Sequence, residues 1–385
     1  MRYIRPQYYD SFRCLAGSCP DTCCAGWQIM IDDAALERYS GLEGPMGGRL
    51  AGSIDWQEGA FRQSGGRCLL LNRENLCDLV LEQGEEALCE TCARYPRHVE
   101  EFADQRELSL SLSCPEAARI ILSQQEPLTF LVEETDEPDP LDEEFEAFDF
   151  LLFTQLEDAR GAFISMLQDR TCPMDARMDK MMYFAEKMQA CLEEDKLYEM
   201  DGVIGRLAGG GTFQTEEAPE FSCGPRERFQ RLKAGYSVFF SLERLREEWT
   251  DILQRAWDTL YAGSYENYRN IRQCFQEEFA GTSQSGPRWE IWKENLLLFF
   301  LYTYFCGAVY DEWIYSKAAL AVFSVSYLEE FIMSEWFLAD KNISWEKCDG
   351  LAYRYAREIE HSDENLNLLE EWLQQNRRKG KVSGR

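Results

Sequence analysis

The sequence predicts a mainly α-helical protein in which a cysteine-rich N-terminal domain precedes a larger all-helical domain. Nine of the fifteen cysteines lie before residue 115. Beyond residue 147, apolar residues recur three and four positions apart, which is the period of an amphipathic helix. With 385 residues, of which 45% are hydrophobic, the chain is long enough for two domains or one large one with a sizeable core.

An acidic segment separates the two predicted domains. The stretch EETDEPDPLDEEFE, residues 133–146, holds nine acidic residues and two prolines, a composition typical of a linker that leads into a helix. We therefore expect a cysteine-cluster domain at residues 1–132, an acidic linker at 133–146 and a helical domain at 147–385.

Two apolar stripes define the first helices of the second domain. They are Phe145, Phe148, Leu152, Leu156, Ala159 and Phe163, followed by Met178, Met181, Met182, Ala185 and Met188. A methionine stripe at this spacing is typical of core packing. Further helices are expected at about 226–262, 264–280, 287–310, 312–338 and 345–376. The glycine-rich stretch 208–221 is expected to be a loop, because it lacks the spacing of the known phosphate-binding motifs.

The charge and the hydropathy argue against two classes of partner, nucleic acids and membranes. A formal net charge of -29, with no basic stripe, disfavours nucleic acid binding. The longest uncharged apolar stretch, 296–310, is shorter than the roughly 20 residues that a membrane span needs, so we expect a buried core helix there. Because the first residues lack the apolar segment of a signal peptide, we expect a cytoplasmic protein with no membrane partner.

The N-terminal cysteines predict a metal site. The set comprises Cys14, Cys19, Cys23, Cys24, Cys68, Cys77, Cys89, Cys92 and Cys114. Cytoplasmic thiols stay reduced, which disfavours a disulfide framework. A nucleophilic cysteine would need a histidine, and the chain has only His98 and His361. Closely spaced thiolates suit zinc or an iron–sulfur cluster, and the irregular spacing favours the cluster. The six later cysteines are expected to be small buried apolar residues.

Three segments together resemble the flagellin lysine-N-methylases and, more loosely, the wider group of proteins with a CxxCxxCC zinc- or iron-chelating region. These segments are YYDSFRCLAGSCPDTCCAGWQIMID, LCDLVLEQGEEALCETCARYPR and SLSLSCPEAARIIL. The resemblance covers roughly residues 3–122, and the helical remainder resembles that of the same family in length and general sequence character. It implies a cytoplasmic enzyme that transfers methyl groups from S-adenosylmethionine to lysine ε-amines of flagellin. It also implies a metal centre on the nine cysteines above, with a [4Fe–4S] cluster favoured over zinc.

Methyl transfer requires a neutral lysine nitrogen and a site that stabilises a sulfonium, for which aromatic rings and carboxylates are suited. The clusters QYYD, residues 7–10, and RYPRHVEE, residues 94–101, supply the candidate cofactor-binding residues. These candidates are Tyr8, Tyr9, Arg94, Tyr95 and Arg97. The sequence identifies no catalytic base. We expect the substrate groove where the cysteine domain meets the helical domain.

Two other functions stay open. One is a non-catalytic metal-binding or electron-transfer module. The other is a radical S-adenosylmethionine enzyme, whose cluster motif is typically CxxxCxxC. Cys19 and Cys23 begin that pattern, but its third position is Gly26, so the chain departs from it.

Overall fold

The computed structural model describes residues 1–136, 148–209, 224–279 and 284–382. The prediction of a mainly helical protein is confirmed. The first five helices are α1 (Asp33–Ser40), α2 (Gly44–Ser53), α3 (Asp78–Gln83), α4 (Glu90–Arg94) and α5 (Pro115–Leu122). The remaining helices are α6 (Phe150–Leu167), α7 (Met174–Glu193), α8 (Leu197–Ala208), α9 (Pro225–Gly235), α10 (Glu247–Ala256), α11 (Tyr265–Phe279), α12 (Gly286–Tyr304), α13 (Ala308–Asp311), α14 (Ile314–Leu338), α15 (Trp345–Glu360) and α16 (Asp363–Val382).

A four-stranded sheet, which the sequence did not predict, joins the two ends of the N-terminal region. The strands are β1 (Arg2–Pro6), β2 (Ile54–Asp55), β3 (Ala60–Phe61), β4 (Gln63–Ser64), β5 (Arg67–Cys68), β6 (Arg97–Phe102), β7 (Gln105–Leu110) and β8 (Phe130–Glu134). The sheet has the order β6-β7-β1-β8, and β2–β3 and β4–β5 form two small separate pairs. Strand β1 is parallel to β7 and antiparallel to β8. Strand β6 is antiparallel to β7, so each edge strand of the sheet, β6 and β8, is antiparallel to its neighbour.

Strand β8 includes the first two residues of the predicted acidic linker. Glu133 and Glu134 pair with Tyr3 and Arg2 of β1, and residues 137–146 of the linker lie outside the described residues. The N-terminal region contributes to two hydrophobic cores. One is a small core of its own between residues 24 and 92, and the other is a large core that continues through the helical region to Leu373. The division into domains at residue 132 stays a prediction.

The helical stripes of the sequence are largely confirmed, and their ends are set by polar side chains. Asp149 caps α6, since its carboxylate accepts a hydrogen bond from the Leu152 N–H at 2.9 Å. The α6 stripe residues Leu152, Leu156, Ala159 and Phe163 are buried, as are the methionines of the α7 stripe, and Phe148 is partly buried. Phe145 and most of the predicted loop, 210–221, lie outside the described residues.

Two of the predicted long helices are divided at points where side chains hydrogen-bond to the backbone. The segment predicted at 226–262 is interrupted after residue 240, where the Asn365 side chain accepts from the Glu243 N–H at 2.7 Å and donates to its carbonyl at 2.9 Å. The segment predicted at 345–376 ends at Glu360 and resumes at Asp363, because the Ser362 hydroxyl accepts from the Asn365 N–H at 3.2 Å. These side chains hydrogen-bond to backbone N–H and C=O groups that would bond to each other in a continuous helix.

The apolar stretch 296–310 forms core rather than a membrane segment. Its first part is the buried end of α12, and it continues through one 3₁₀ turn into α13. No helix in the described parts of the chain combines the length and the apolar character needed to cross a membrane.

Candidate active site

The fold gathers N-terminal thiols that are irregularly spaced along the chain. The Cys68 N–H donates to the Cys24 carbonyl at 2.9 Å, and both side chains contribute to the small core together with Cys77, Cys89 and Cys92. Two further members of the predicted set differ from these, because Cys114 lies in the large core and Cys14 is exposed. Every cysteine in the described ranges is a free thiol.

Neighbouring thiols alter one another's proton affinity. A hydrogen bond between the two side chains raises the pKa of Cys23 and lowers the pKa of Cys24 to about 7. In the same way, the bond between Cys89 and Cys92 lowers the pKa of Cys89 to about 7 and raises the pKa of Cys92. Charge on Cys24 and Cys23 raises the pKa of Cys92 further, so the two pairs lie within electrostatic reach of each other.

This arrangement does not confirm the predicted metal-binding domain. Thiolate sulfur is the donor that zinc and iron–sulfur clusters take, and in this respect the set fits such a group. Across the described residues, however, no three His, Cys, Asp or Glu side chains are arranged to hold one metal ion. The thiols of Cys23, Cys24, Cys89 and Cys92 form hydrogen-bonded pairs rather than a shell of converging sulfurs.

Two arginines of the helical region hold the loop that carries Cys19, Cys23 and Cys24. Arg357 Nη1 lies 2.7 Å from Asp21 Oδ1, and Arg357 Nη2 donates to the Asp21 carbonyl at 2.8 Å. Arg246 lies 3.3 Å from the same carboxylate and donates to the Ala25 carbonyl at 2.5 Å. Gly26 has φ +87°, and a Cβ there would lie 2.0 Å from Arg246 Nε. A cysteine therefore does not fit at the third position of the CxxxCxxC pattern.

Beside this loop lies a cavity of about 360 Å³, which we call the junction cavity because the cysteine-rich and helical parts of the chain both line it. Its walls come from Trp27, Thr91, Arg94, Tyr95, Pro96, Arg97, His98, Glu100, Ser109, Ser111, Phe299, Thr303, Tyr304, Glu360, His361, Asp363 and Leu366. Strands β6 and β7 form one side, and the ends of α12, α15 and α16 form the other. Trp27 connects the cavity to the cysteine loop, because its indole N–H donates to the Cys23 carbonyl at 2.7 Å.

A polar network around the fully buried Ser113 fixes the inner end of the junction cavity. The Ser113 hydroxyl lies 2.8 Å from His361 Nε2 and 3.0 Å from the Tyr95 hydroxyl. Glu360 Oε2 accepts from the Ser113 N–H at 3.2 Å and from the Ser111 hydroxyl. The His361 ring also packs against Trp27 in a tilted arrangement, with 4.7 Å between ring centroids. The cavity therefore contains a positioned carboxylate beside aromatic rings.

Burial changes the proton affinity of the groups at this inner end. It raises the pKa of the Glu360 carboxyl, although the hydrogen bonds from Ser111 and Ser113 partly oppose the rise. Burial and the nearby Arg357 lower the pKa of His361 to about 3, so its ring is neutral at physiological pH. For His98, burial alone would lower the pKa, but the hydrogen bond to Glu100 outweighs it and the pKa is raised.

Three of the five candidate cofactor-binding residues line the junction cavity, namely Arg94, Tyr95 and Arg97. The other two lie apart from its lining. Tyr8 and Tyr9 are buried in the large core, with exposed fractions of 8% and 9%. These two tyrosines thus lie outside the lining of the junction cavity, and their part in cofactor binding stays a prediction.

Sequence reasoning missed the residues that the helices supply. Glu360 and His361 follow one another at the end of α15, yet they contact Ser111 and Ser113 more than 240 positions earlier. No local motif contains such a pair. The one available signal was the scarcity of histidine, since both histidines of the chain line the same cavity.

The family model of the FliB lysine N-methylase C-terminal domain matches residues 160–380. The chain is similar to the flagellar biosynthetic protein FliU of Salmonella muenchen, at 28% identity over 127 residues that cover 31% of this chain and 75% of that protein. It is also similar to the lysine-N-methylases of Salmonella typhimurium strain LT2 and Salmonella choleraesuis strain SC-B67, at 28% identity over 127 residues, 31% of this chain and 32% of each relative. The match thus spans about a third of each of these two methylases. No solved structure matches the chain.

Proposed function

This chain belongs to the FliB lysine N-methylase family, and from that premise we propose that it is a cytoplasmic enzyme that transfers a methyl group from S-adenosylmethionine to lysine ε-amines of flagellin. The observation that carries the proposal is the position of Glu360, a largely buried carboxylate that faces an aromatic-walled cavity. The names of the relatives, a flagellar protein and two lysine methylases, support flagellin as the substrate.

The lining of the junction cavity suits a sulfonium donor. Trp27, Tyr95 and Tyr304 offer aromatic faces, and such faces attract a cation. Arg94 at the same wall would bind the carboxylate of the donor's amino-acid end, whereas the Arg97 guanidinium lies over the Phe12 ring, with 5.2 Å to the ring centroid. The buried Thr303 hydroxyl has no hydrogen-bond partner within the described residues, so a bound ligand would satisfy it. S-adenosylmethionine would supply the electrophilic methyl group and leave as S-adenosylhomocysteine.

Glu360 would act as the general base. A lysine side chain carries a proton up to a pKa of roughly 10.4, and its nitrogen attacks only after that proton has left. The raised pKa of Glu360 makes its carboxylate a better proton acceptor than an exposed glutamate. The proton would pass from the lysine ammonium to the Glu360 carboxylate. The lone pair of the neutral nitrogen would then form the N–C bond to the methyl group while the C–S bond of the sulfonium breaks. The neutral ring of His361 adds no positive charge beside the sulfonium.

The N-terminal thiols would hold an iron–sulfur cluster of the [4Fe–4S] type, with four ligands drawn from the cysteines of the small core, Cys24, Cys68, Cys77, Cys89 and Cys92. Their soft donor chemistry and their position in one core support this assignment. We give the cluster a structural role. Trp27, four residues after Cys23, forms part of the cavity wall, so a cluster that fixes the loop also fixes the wall.

A transfer assay tests the proposal. The anaerobically purified chain is incubated with flagellin and methyl-labelled S-adenosylmethionine, and the label is located by mass spectrometry of flagellin peptides. Label on lysine ε-nitrogens, with S-adenosylhomocysteine as the coproduct, supports the proposal. Bound S-adenosylmethionine without transfer to flagellin would contradict it. Formation of methionine and 5′-deoxyadenosine under reductant would favour the radical enzyme instead.

A further inference from the structure

We propose that the outer edge of strand β6 is the docking site for the substrate, which binds as an added β-strand with its acceptor lysine opposite His98. The occupant is an extended, lysine-containing segment of an unfolded or locally unfolded protein. This inference rests on the proposed lysine methyl transfer, and it specifies the conformation of the substrate.

The hydrogen-bond pattern of β6 leaves its outer edge available. β6 is the terminal strand of the sheet, and the Ser111 N–H donates to the Pro96 carbonyl at 2.7 Å. Since hydrogen-bonded pairs alternate along an antiparallel ladder, the pairs His98–Ser109 and Glu100–Glu107 also bond to each other. The N–H and C=O groups of Arg97 and Val99 therefore point away from β7. Within the described residues, no backbone group pairs with them on this outer side.

At the far end of this edge, the Tyr310 side chain occupies an outward-pointing backbone carbonyl of β6. The Tyr310 hydroxyl donates to the Glu101 carbonyl at 2.6 Å. This contact agrees with the alternation, in which the backbone N–H and C=O groups of the odd-numbered β6 residues point away from β7. Arg97 and Val99 then supply two adjacent pairs of backbone groups to an incoming strand.

The same edge forms the lip of the junction cavity. His98 and Glu100 of β6 and Ser109 of β7 lie on the sheet face that lines the cavity. Directly opposed residues of neighbouring strands place their side chains on the same face. A lysine opposite His98 would therefore enter the cavity on the side of Glu360, while its two flanking residues bond to Arg97 and Val99.

The charge around this lip matches a cationic side chain. Glu100, Glu360 and Asp363 line the cavity together with Arg94, and the exposed Glu101, which pairs with Arg106 at 3.2 Å, adds a further carboxylate along β6. The chain as a whole has a formal charge of -29. A lysine held in a folded helix could not add to the edge, because its backbone groups already bond within the helix.

Backbone-edited peptides test the docking mode on the unmodified protein. A single-lysine peptide from flagellin is prepared with one amide N–H at a time replaced by an ester oxygen, and binding is followed by fluorescence anisotropy in the presence of S-adenosylhomocysteine. In antiparallel docking, replacement at the residue before or after the lysine weakens binding about fivefold, the effect of one lost hydrogen bond, while replacement at the lysine itself has no effect. Parallel docking shifts this pattern by one residue and keeps its period of two. A uniform effect along the peptide would overturn the inference.

Two proline variants provide a matched comparison. Val99→Pro removes an outward N–H from β6, and Val132→Pro makes the same change on the opposite edge of the sheet. The Val132 N–H faces outward because the Gln7 N–H donates to the Thr129 carbonyl, which sets the alternation of the β1–β8 ladder. Val99→Pro should raise the KM for the peptide about tenfold without changing the affinity for S-adenosylmethionine, whereas Val132→Pro should change neither.

The outcomes separate this inference from the proposed function. If the unmodified protein methylates neither flagellin nor the peptide, the proposed function is wrong and the docking mode falls with it. If methylation proceeds but the ester scan shows no alternation and the two proline variants behave alike, the enzyme assignment stands and the edge docking is wrong. Should Val99→Pro fail to fold, the ester scan on the wild-type chain decides alone.

Discussion

Arg357 and Asp21, separated by 336 positions in the chain, form an ion pair at 2.7 Å that holds helix α15 against the cysteine loop. Arg357 is 2% exposed, and its Nε also donates to the Ser113 carbonyl at 2.9 Å. One guanidinium therefore positions both the loop that carries Trp27 and the network that carries Glu360. The geometry of the junction cavity depends on this contact.

Replacing Arg357 with lysine should destabilise the protein and weaken ligand binding. A lysine ammonium cannot reproduce two directed hydrogen bonds together with the ion pair, and leaving a buried acceptor without its hydrogen bond costs about 1–3 kcal/mol. Denaturant unfolding measures the first effect, and S-adenosylmethionine binding by calorimetry measures the second. Arg354→Lys is the control, because this arginine lies on the same helix and its contacts within the described residues are local, a hydrogen bond to the Gly350 carbonyl and the Tyr353 ring. Equal losses in both variants would contradict the role of Arg357 as a link between loop and helix.

The Glu360→Gln variant should bind both substrates and transfer slowly. The amide keeps the size of the side chain but cannot take a proton, and loss of a general base typically lowers kcat by roughly 10²–10⁴-fold. Single-turnover transfer of labelled methyl groups provides the measurement. Glu346→Gln, an exposed glutamate at the other end of α15, should retain full activity. A Glu360→Gln enzyme with unchanged kcat would assign the base to another group.

Stability should fall as the pH rises from about 5 to 8, and Glu358 should account for part of the fall. Burial raises the pKa of this carboxyl to about 7, above its ordinary value of 4.5. The folded state then holds a proton that the unfolded state has released, so the contribution to stability is present below pH 4.5 and is lost as the pH rises through 7. At about 1.4 kcal/mol per pH unit, the loss is about 3 kcal/mol.

Thermal unfolding across this pH range checks the assignment to Glu358. Glu358→Gln, which imitates the protonated acid, should flatten the dependence and raise stability at pH 8. Glu346→Gln, which changes an exposed carboxylate at the far end of the same helix, should leave the slope unchanged. Identical pH slopes in wild type and Glu358→Gln would rule out this residue as the source.

The contrast between what the sequence predicted and what it missed has a physical basis. The helices of residues 150–193 follow from apolar periodicity, since Leu156 and Met181 face the core at helical spacing. The sheet was missed because β7 buries polar residues on its inner face. Glu107 is 3% exposed and pairs with Arg160 of α6, while Leu108 and Leu110 pack into the large core from the other face. Polar positions of β7 are therefore buried as well, and the alternating leucines were the signal that could have identified the strand.

The candidate site shows the same division. Arg94, Tyr95 and Arg97 were found because they are adjacent to one another and to the cysteines. Glu360 was not found, because its role arises from contacts with Ser111 and Ser113, and only the packing of α15 against the end of β7 creates them. Local sequence patterns predict secondary-structure elements, whereas a site assembled from segments that are distant in sequence can be recognised only in the folded structure.

Metal analysis of cysteine variants tests the iron–sulfur assignment. Anaerobically isolated protein should be brown and contain about four iron and four sulfide per chain. Cys89→Ala should lose this content and destabilise the N-terminal region, because ligand loss is coupled to folding. Cys306→Ala, at an equally buried thiol of the large core, should retain it. A colourless protein with stoichiometric zinc would contradict the cluster, and equal metal content in both variants would contradict the ligand assignment.

Salt should weaken the capture of flagellin more than its methylation. The carboxylates around the lip of the junction cavity attract lysine through a field that is screened beyond about 8–10 Å at physiological ionic strength. Raising salt from about 0.05 to 0.5 M should therefore increase the KM for flagellin and change kcat much less, since long-range attraction acts on encounter rather than on chemistry. Asp363→Asn, which removes one exposed charge at the lip, should reduce the salt dependence. Asp258→Asn makes the same change at an exposed position outside the cavity lining, and a salt dependence reduced equally by both variants would point to the net charge of the chain rather than to the lip.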